Sequence, residues 1–156
     1  MGEVAFAVQW RELTLSEERQ RRQHALTEYV RRLKAAVQPI CIILFGSMAR
    51  GTDRVSSDVD LIVIGDQFPE RMFDRLDLVN QLKRGLPVSI DVFPYTVAEF
   101  DWRLDDLQVT ALEALRDGVA LSGEAHLAKL RTKYQTLVQN GLSRTAEAWS
   151  FQPISR

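Results

Sequence analysis

The chain of 156 residues is 46% hydrophobic and 26% charged, which supplies one globular core and leaves too little length for a second full domain. A formal net charge of −1 gives no global polyanion-binding field, so a dedicated nucleic-acid surface is not expected. The one cysteine, Cys41, has no partner for an internal disulfide, and no window approaches ~18 consecutive apolar residues, so the expectation is a cytoplasmic protein without a membrane span.

Along the chain, Phe6, Val8 and Trp10 alternate as a short strand would. Thr14 and Glu17 have capping-box spacing and predict a helix to about Val37, with Leu26, Tyr29, Val30, Leu33 and Val37 as its apolar stripe. Its other face carries Arg19, Arg21, Arg22, Arg31, Arg32 and Lys34, and such a charge run reads as a solvated face. Pro39 breaks the helix. Ile40 to Phe45 is a continuous apolar, β-branched run, which suits a strand buried on both faces; Met48 to Ser57 is a polar loop; Leu61 to Ile64 is a second buried strand.

The segment Pro69 to Leu86 predicts a crossover helix ended by Gly85 and Pro87. A strand from Val88 to Phe93 follows, then helices over Val97 to Leu104 and Asp106 to Asp117. A short Gly118-Val119-Ala120-Leu121 segment comes next, and a last amphipathic helix runs from Gly123 to about Leu142. The tail after it is expected to fray unless Trp149 and Phe151 dock. The whole, 1–156, reads as a single domain with a core at about 25–123, an N-terminal helical extension at 14–37 and a C-terminal helix at about 123–142. His24 and His126 lack zinc-type spacing, and Trp10, Trp102 and Trp149 read as packing residues.

The chemistry is concentrated between the first two strands. Side chains two apart on an extended chain share a side, so Asp58 and Asp60 project together while Val59 points into the core. Two carboxylates on one side repel unless they are protonated or bridged, and a hard divalent cation bridges them. Gly46 permits positive φ and close backbone approach, which lets amide groups and the Ser47 hydroxyl face an anion. The pattern is neither a Walker A loop nor G-x-G-x-x-G. Arg50 either neutralises phosphate charge or pairs with a nearby acid. Asp91, a lone carboxylate among apolar neighbours, lies at a rim facing water or meets a cation.

These residues resemble a family. Gly46-Ser47, then Asp58-Val59-Asp60, then a strand bearing Asp91 look like the signature of the polymerase-β-like nucleotidyltransferases. GSMARG with SDVDL resembles the minimal members, the MntA-type antitoxins among them, over about residues 25 to 123, where GVAL is similar to the closing strand of such domains. Met48 departs from relatives that often carry Arg or Tyr there. The resemblance implies an α/β (α+β) fold, a small mixed β-sheet flanked by helices. It implies Asp58, Asp60 and Asp91 as catalytic, metal-binding acids for two Mg²⁺ ions, with Gly46, Ser47 and Arg50 binding ATP. It further implies transfer of AMP to a tyrosine hydroxyl of a HEPN-type toxin partner. The alternatives are a small-molecule nucleotidyltransferase of the aminoglycoside kind and a non-catalytic nucleotide- or partner-binding module. Assembly into a homo-oligomer is compatible with the helices outside the core.

Overall fold

The computed structural model describes residues 3–51 and 58–154, with side chains from residue 17 onward. Helix α1 spans Glu3–Val37, so the short strand expected around Phe6 to Trp10 is replaced by helix and the start lies well before Thr14. No glycine or proline interrupts this stretch, and Glu, Ala, Gln, Arg and Leu recur through it, so propensity favours one uninterrupted helix. Leu26, Tyr29, Leu33 and Val37 form its buried stripe. The Tyr29 hydroxyl donates to the carbonyl of Val79 at 2.8 Å, a side-chain tie that the stripe alone does not predict.

After Pro39 come β1 (Cys41–Phe45), the single turn α2 (Ser47–Arg50), β2 (Val59–Ile64), α3 (Met72–Gln81) and β3 (Ile90–Tyr95). Then follow α4 (Val97–Asp105), α5 (Val109–Asp117), β4 (Val119–Ser122), α6 (Glu124–Gln139) and a hairpin of β5 (Leu142–Arg144) and β6 (Trp149–Phe151). The main sheet has the order β3-β2-β1-β4, with β2 and β3 parallel and β1 antiparallel to both β2 and β4. The mixed sheet flanked by helices agrees with the expected fold class. Parallel pairing of β2 with β3 requires a crossover, and α3 provides it.

Alternation along the strands sorts the core into two layers. Ile42, Leu44, Val59, Leu61, Val63, Ile90 and Val92 pack against α1 and Val79 of α3. Cys41, Ile43, Phe45, Ile62, Ile64 and Tyr95 pack against α4, α5 and α6. With both faces covered, β1 is buried along its whole length, which is why its sequence is an unbroken apolar run.

Charged groups close the seams. Arg75 of α3 is buried and donates from Nε to Pro69 O at 2.6 Å, from Nη2 to Glu70 O at 3.0 Å and from Nη1 to Glu99 Oε1 at 2.7 Å. It thereby joins α3 to α4. Replacing Arg75 by methionine leaves those carbonyls without this donor and the Glu99 carboxylate with the Thr96 N–H alone. A loss of about 3 kcal/mol is expected in urea unfolding, the lower end for breaking a buried pair, because Glu99 keeps 35% of its side-chain surface in water.

Part of the arginine-rich face of α1 is not solvated. Arg22 is buried, and Arg32 donates to the carbonyls of Leu82 and Arg84 at 2.9 and 2.8 Å, whereas Arg19, Arg21, Arg31 and Lys34 are exposed. The tail does dock: the Trp149 indole donates to Glu113 Oε1 at 3.0 Å and meets Tyr134 edge-on at 6.2 Å, while Arg144 pairs with the same carboxylate at 2.9 Å. Trp102 is 58% exposed and does not act as a packing residue. Trp10 lies outside the residues with described side chains.

Candidate active site

The site lies at one end of the sheet, where β1 leaves and β2 and β3 enter. Phe45 pairs with Asp60 across the antiparallel ladder, and Asp60 pairs with Asp91 across the parallel one. Residues opposite one another share a face, so Asp60 and Asp91 are on the same side and on the same rung. Val59, between Asp58 and Asp60, is fully buried on the opposite face. Alternation thus puts Asp60 and Asp91 on one side of the sheet, with Asp58 just ahead of β2. Phe45 and Phe93 lie on the acid face, their rings 5.8 Å apart, and form an apolar floor beside Asp60.

Gly46 shapes the approach to that floor. Its φ of 80° and ψ of −158° fall in a region that is essentially reserved for glycine. A Cβ built there would sit 2.5 Å from Asp60 Oδ2. The Gly-Ser turn is therefore pressed directly on the acid, and Ser47 begins the turn α2 that ends at Gly51. The polar loop expected from Met48 contains this helical turn, and its later part, 52–57, lies outside the described residues. Met48, the departure from the family pattern, packs with Ala49 against the α1 side of the core.

Electrostatics couple these groups. Burial, then the charges of Asp91 and Asp58, raise the Asp60 carboxyl above its ordinary value, while Arg50 pulls the other way. Asp58, at the foot of β2, and Asp91 are exposed. Arg50 is exposed, and its charge opposes the rise at Asp60. Among the described residues no three His, Cys, Asp or Glu side chains converge closely enough to hold an ion as they stand. The donors that surround Asp60 are nevertheless carboxylate oxygens of like charge within Coulombic reach, and an all-oxygen anionic set suits a hard divalent cation rather than zinc.

One charged group escaped the sequence reading. Lys83, in the turn after α3, is half-buried and donates to Asn80 Oδ1 at 2.9 Å. Burial lowers the pKa of its ammonium, and the charge of Asp91 opposes that shift. The only sequence signal was a basic pair, Lys83-Arg84, in the turn that precedes the strand bearing Asp91. Neither His24, exposed, nor His126, half-buried, joins the site.

Comparisons with known proteins give the fold and the family. A segment of 43 residues is 61% identical to a candidate protein adenylyltransferase of Methanocaldococcus jannaschii, covering 28% of this chain and 29% of that relative's length. A toxin–antitoxin structure with AMP-PNP superposes with a TM-score of 0.54 at 19% identity, over 72% of this chain and 86% of that one. A MntA–HpeT toxin–antitoxin variant with two aspartates changed to glutamate gives 0.50 at 16% identity, over 70% and 83% of the two chains. At such identities the likeness is one of fold. The described residues contain no helix long and apolar enough to cross a membrane. The family model of the nucleotidyltransferase domain matches residues 26–117, more than half of the sequence and all of the acid-bearing strands, and the chain belongs to that family.

Proposed function

We propose that this protein transfers AMP from ATP to a hydroxyl group, and that the acceptor is a tyrosine of a HEPN-type toxin partner. The observation that carries the reading is the shared rung of Asp60 and Asp91 with Gly46 pressed against it. That arrangement brings two acids and a close backbone approach to one point. The fold likeness to toxin–antitoxin structures, one with a bound ATP analogue, supports the choice of partner and nucleotide. The short stretch shared with a candidate protein adenylyltransferase supports a protein acceptor.

In this reading Asp58, Asp60 and Asp91 would hold two Mg²⁺ ions, which would supply neutralisation of phosphate charge and acidification of the acceptor hydroxyl. Gly46 and Ser47 bind the triphosphate through backbone and hydroxyl groups, and Arg50 neutralises charge on it. Asp91, exposed on β3, accepts the proton of the incoming hydroxyl. Attack in line on the α-phosphorus forms the new P–O bond and breaks the bond to the β-phosphate, releasing pyrophosphate. The Phe45 and Phe93 floor limits water around Asp60, which strengthens each of these charge interactions.

The test is transfer of label from α-labelled ATP with Mg²⁺, with the co-purified partner chain present. Label on a tyrosine of the partner, dependent on Asp58 and Asp60, is expected. Label on no protein, with pyrophosphate released only when a small hydroxylated compound is added, would move the acceptor to small molecules.

A further inference from the structure

Strand β4 is the edge of the main sheet opposite β3. Open grooves flank it on both faces, one of about 520 Å³ against α6 and one of about 630 Å³ against α1, and Val119 at its start is 45% exposed. On the α6 side the groove is walled by Glu124, Ala128, Arg131 and Gln135, which at i, i+4, i+7 and i+11 form one stripe along the helix. Helix α6 runs back along β4. It starts just after β4 ends at Ser122, and Arg131, well along it, donates from Nε to Leu115 O at 3.2 Å and from Nη2 to the carbonyl of Gly118, the residue before β4. Glu124 and Arg131 therefore stand at opposite ends of the strand, with Ala128 level with its middle. Glu124 is exposed, the partners of Arg131 are neutral carbonyls, and among the described residues neither side chain meets one of opposite charge.

We propose that this protein forms a two-fold dimer through the β4 edge and the stripe of α6 beside it. A two-fold axis through the middle of β4, normal to the sheet, lays the strand antiparallel to the β4 of a second copy. The Glu124 end of each copy then faces the Arg131 end of the other, so the same ion pair forms twice, as a self-complementary contact requires. Ala128, the small residue of the stripe, falls where the two α6 helices come nearest and lets them approach. Leu121 is the extra residue where the register of β1 with β4 shifts, and a short, bulged edge opposes open-ended strand addition. The contact therefore closes at two copies, held by side chains. The dimer does not depend on the transfer chemistry. Both strands bearing Asp91 lie at its outer edges, more than about 30 Å apart at ~4.8 Å per strand, so two acid sites face away from the contact.

The experiment is sedimentation velocity of the full chain over a concentration series, at low and high salt. A reversible dimer with a dissociation constant on the order of 10 μM is expected, since one short strand and one helix stripe make a small interface. It should weaken in high salt. Glu124→Lys turns both ion pairs into repulsions and is expected to weaken the dimer at least about tenfold. Ala128→Arg sets two guanidinium groups together at the axis and is expected to leave only monomer. Both positions are exposed, so folding is retained, and Ala128→Arg decides the matter if Glu124→Lys loosens the start of α6. A chain still monomeric at ~1 mM, or a dimer that both variants leave intact, overturns the proposal. So does a monomeric chain that releases a different, co-purified protein in Ala128→Arg, which would assign the surface to that protein.

Discussion

Asp60→Asn is expected to lower nucleotide transfer at least about 10³-fold while leaving the free protein as stable as wild type, or more so, at pH 7. The two halves have one cause. Asp60 is held in the floor beside Phe45, and burial with its acidic neighbours lifts its carboxyl above the reference value of 3.8. Between 3.8 and that raised value the folded state binds more protons than the unfolded state, so stability falls as pH rises through this window. Above the window the penalty is constant, and below it the penalty is gone. Asparagine cannot titrate, so the variant's advantage should be present at pH 7 and vanish on acidification below 3.8. Thermal unfolding of both proteins across pH, beside label transfer, measures it. Wild-type turnover in the variant would remove Asp60 from the mechanism. A clearly lower melting temperature at pH 7 would mean that its carboxylate supports the fold instead.

Gly46→Ala carries the second large effect, through geometry rather than charge. A residue with a side chain loses about 1–3 kcal/mol in that backbone region, and the new methyl would meet Asp60 Oδ2 at 2.5 Å. Either the turn or the carboxylate must move, and misplacement of a reacting group by ~1 Å can cost about 10²-fold in rate. A loss of that order is expected in label transfer from a protein that still folds. Gly85→Ala is the comparison, since Gly85 shares the positive φ, at 81°, but has nothing within 4 Å of a built Cβ. It should show the strain in its unfolding midpoint and little change in rate. Equal rates in the two alanine variants would show that crowding of Asp60 is of no consequence.

What the sequence makes legible follows from how local the signal is. The acids could be placed because strand alternation is a two-residue rule: once Val59 is assigned to the core, Asp58 and Asp60 share the other side, and the run through Ile90 and Val92 fixes Asp91 in the same way. The start of α1 was misread because Phe6, Val8 and Trp10 alternate like a strand within a stretch that has no helix breaker. The nearness of Lys83 to the acids was illegible because the charge it meets, Asp91, comes from another element, β3. The hairpin of the tail depends likewise on Glu113 and Tyr134, far back in the chain. Three-residue strands carry too little periodicity to announce themselves.

The interior position of Cys41 has a practical side. Its side chain is fully buried in β1, and burial pushes the thiol up to about 11, so at neutral pH it offers little thiolate to an alkylating reagent. The native protein is in effect free of reactive thiols. A cysteine placed at an exposed position such as Lys129 of α6 would accept a dye or spin label selectively, with no need to alter the β1 core first.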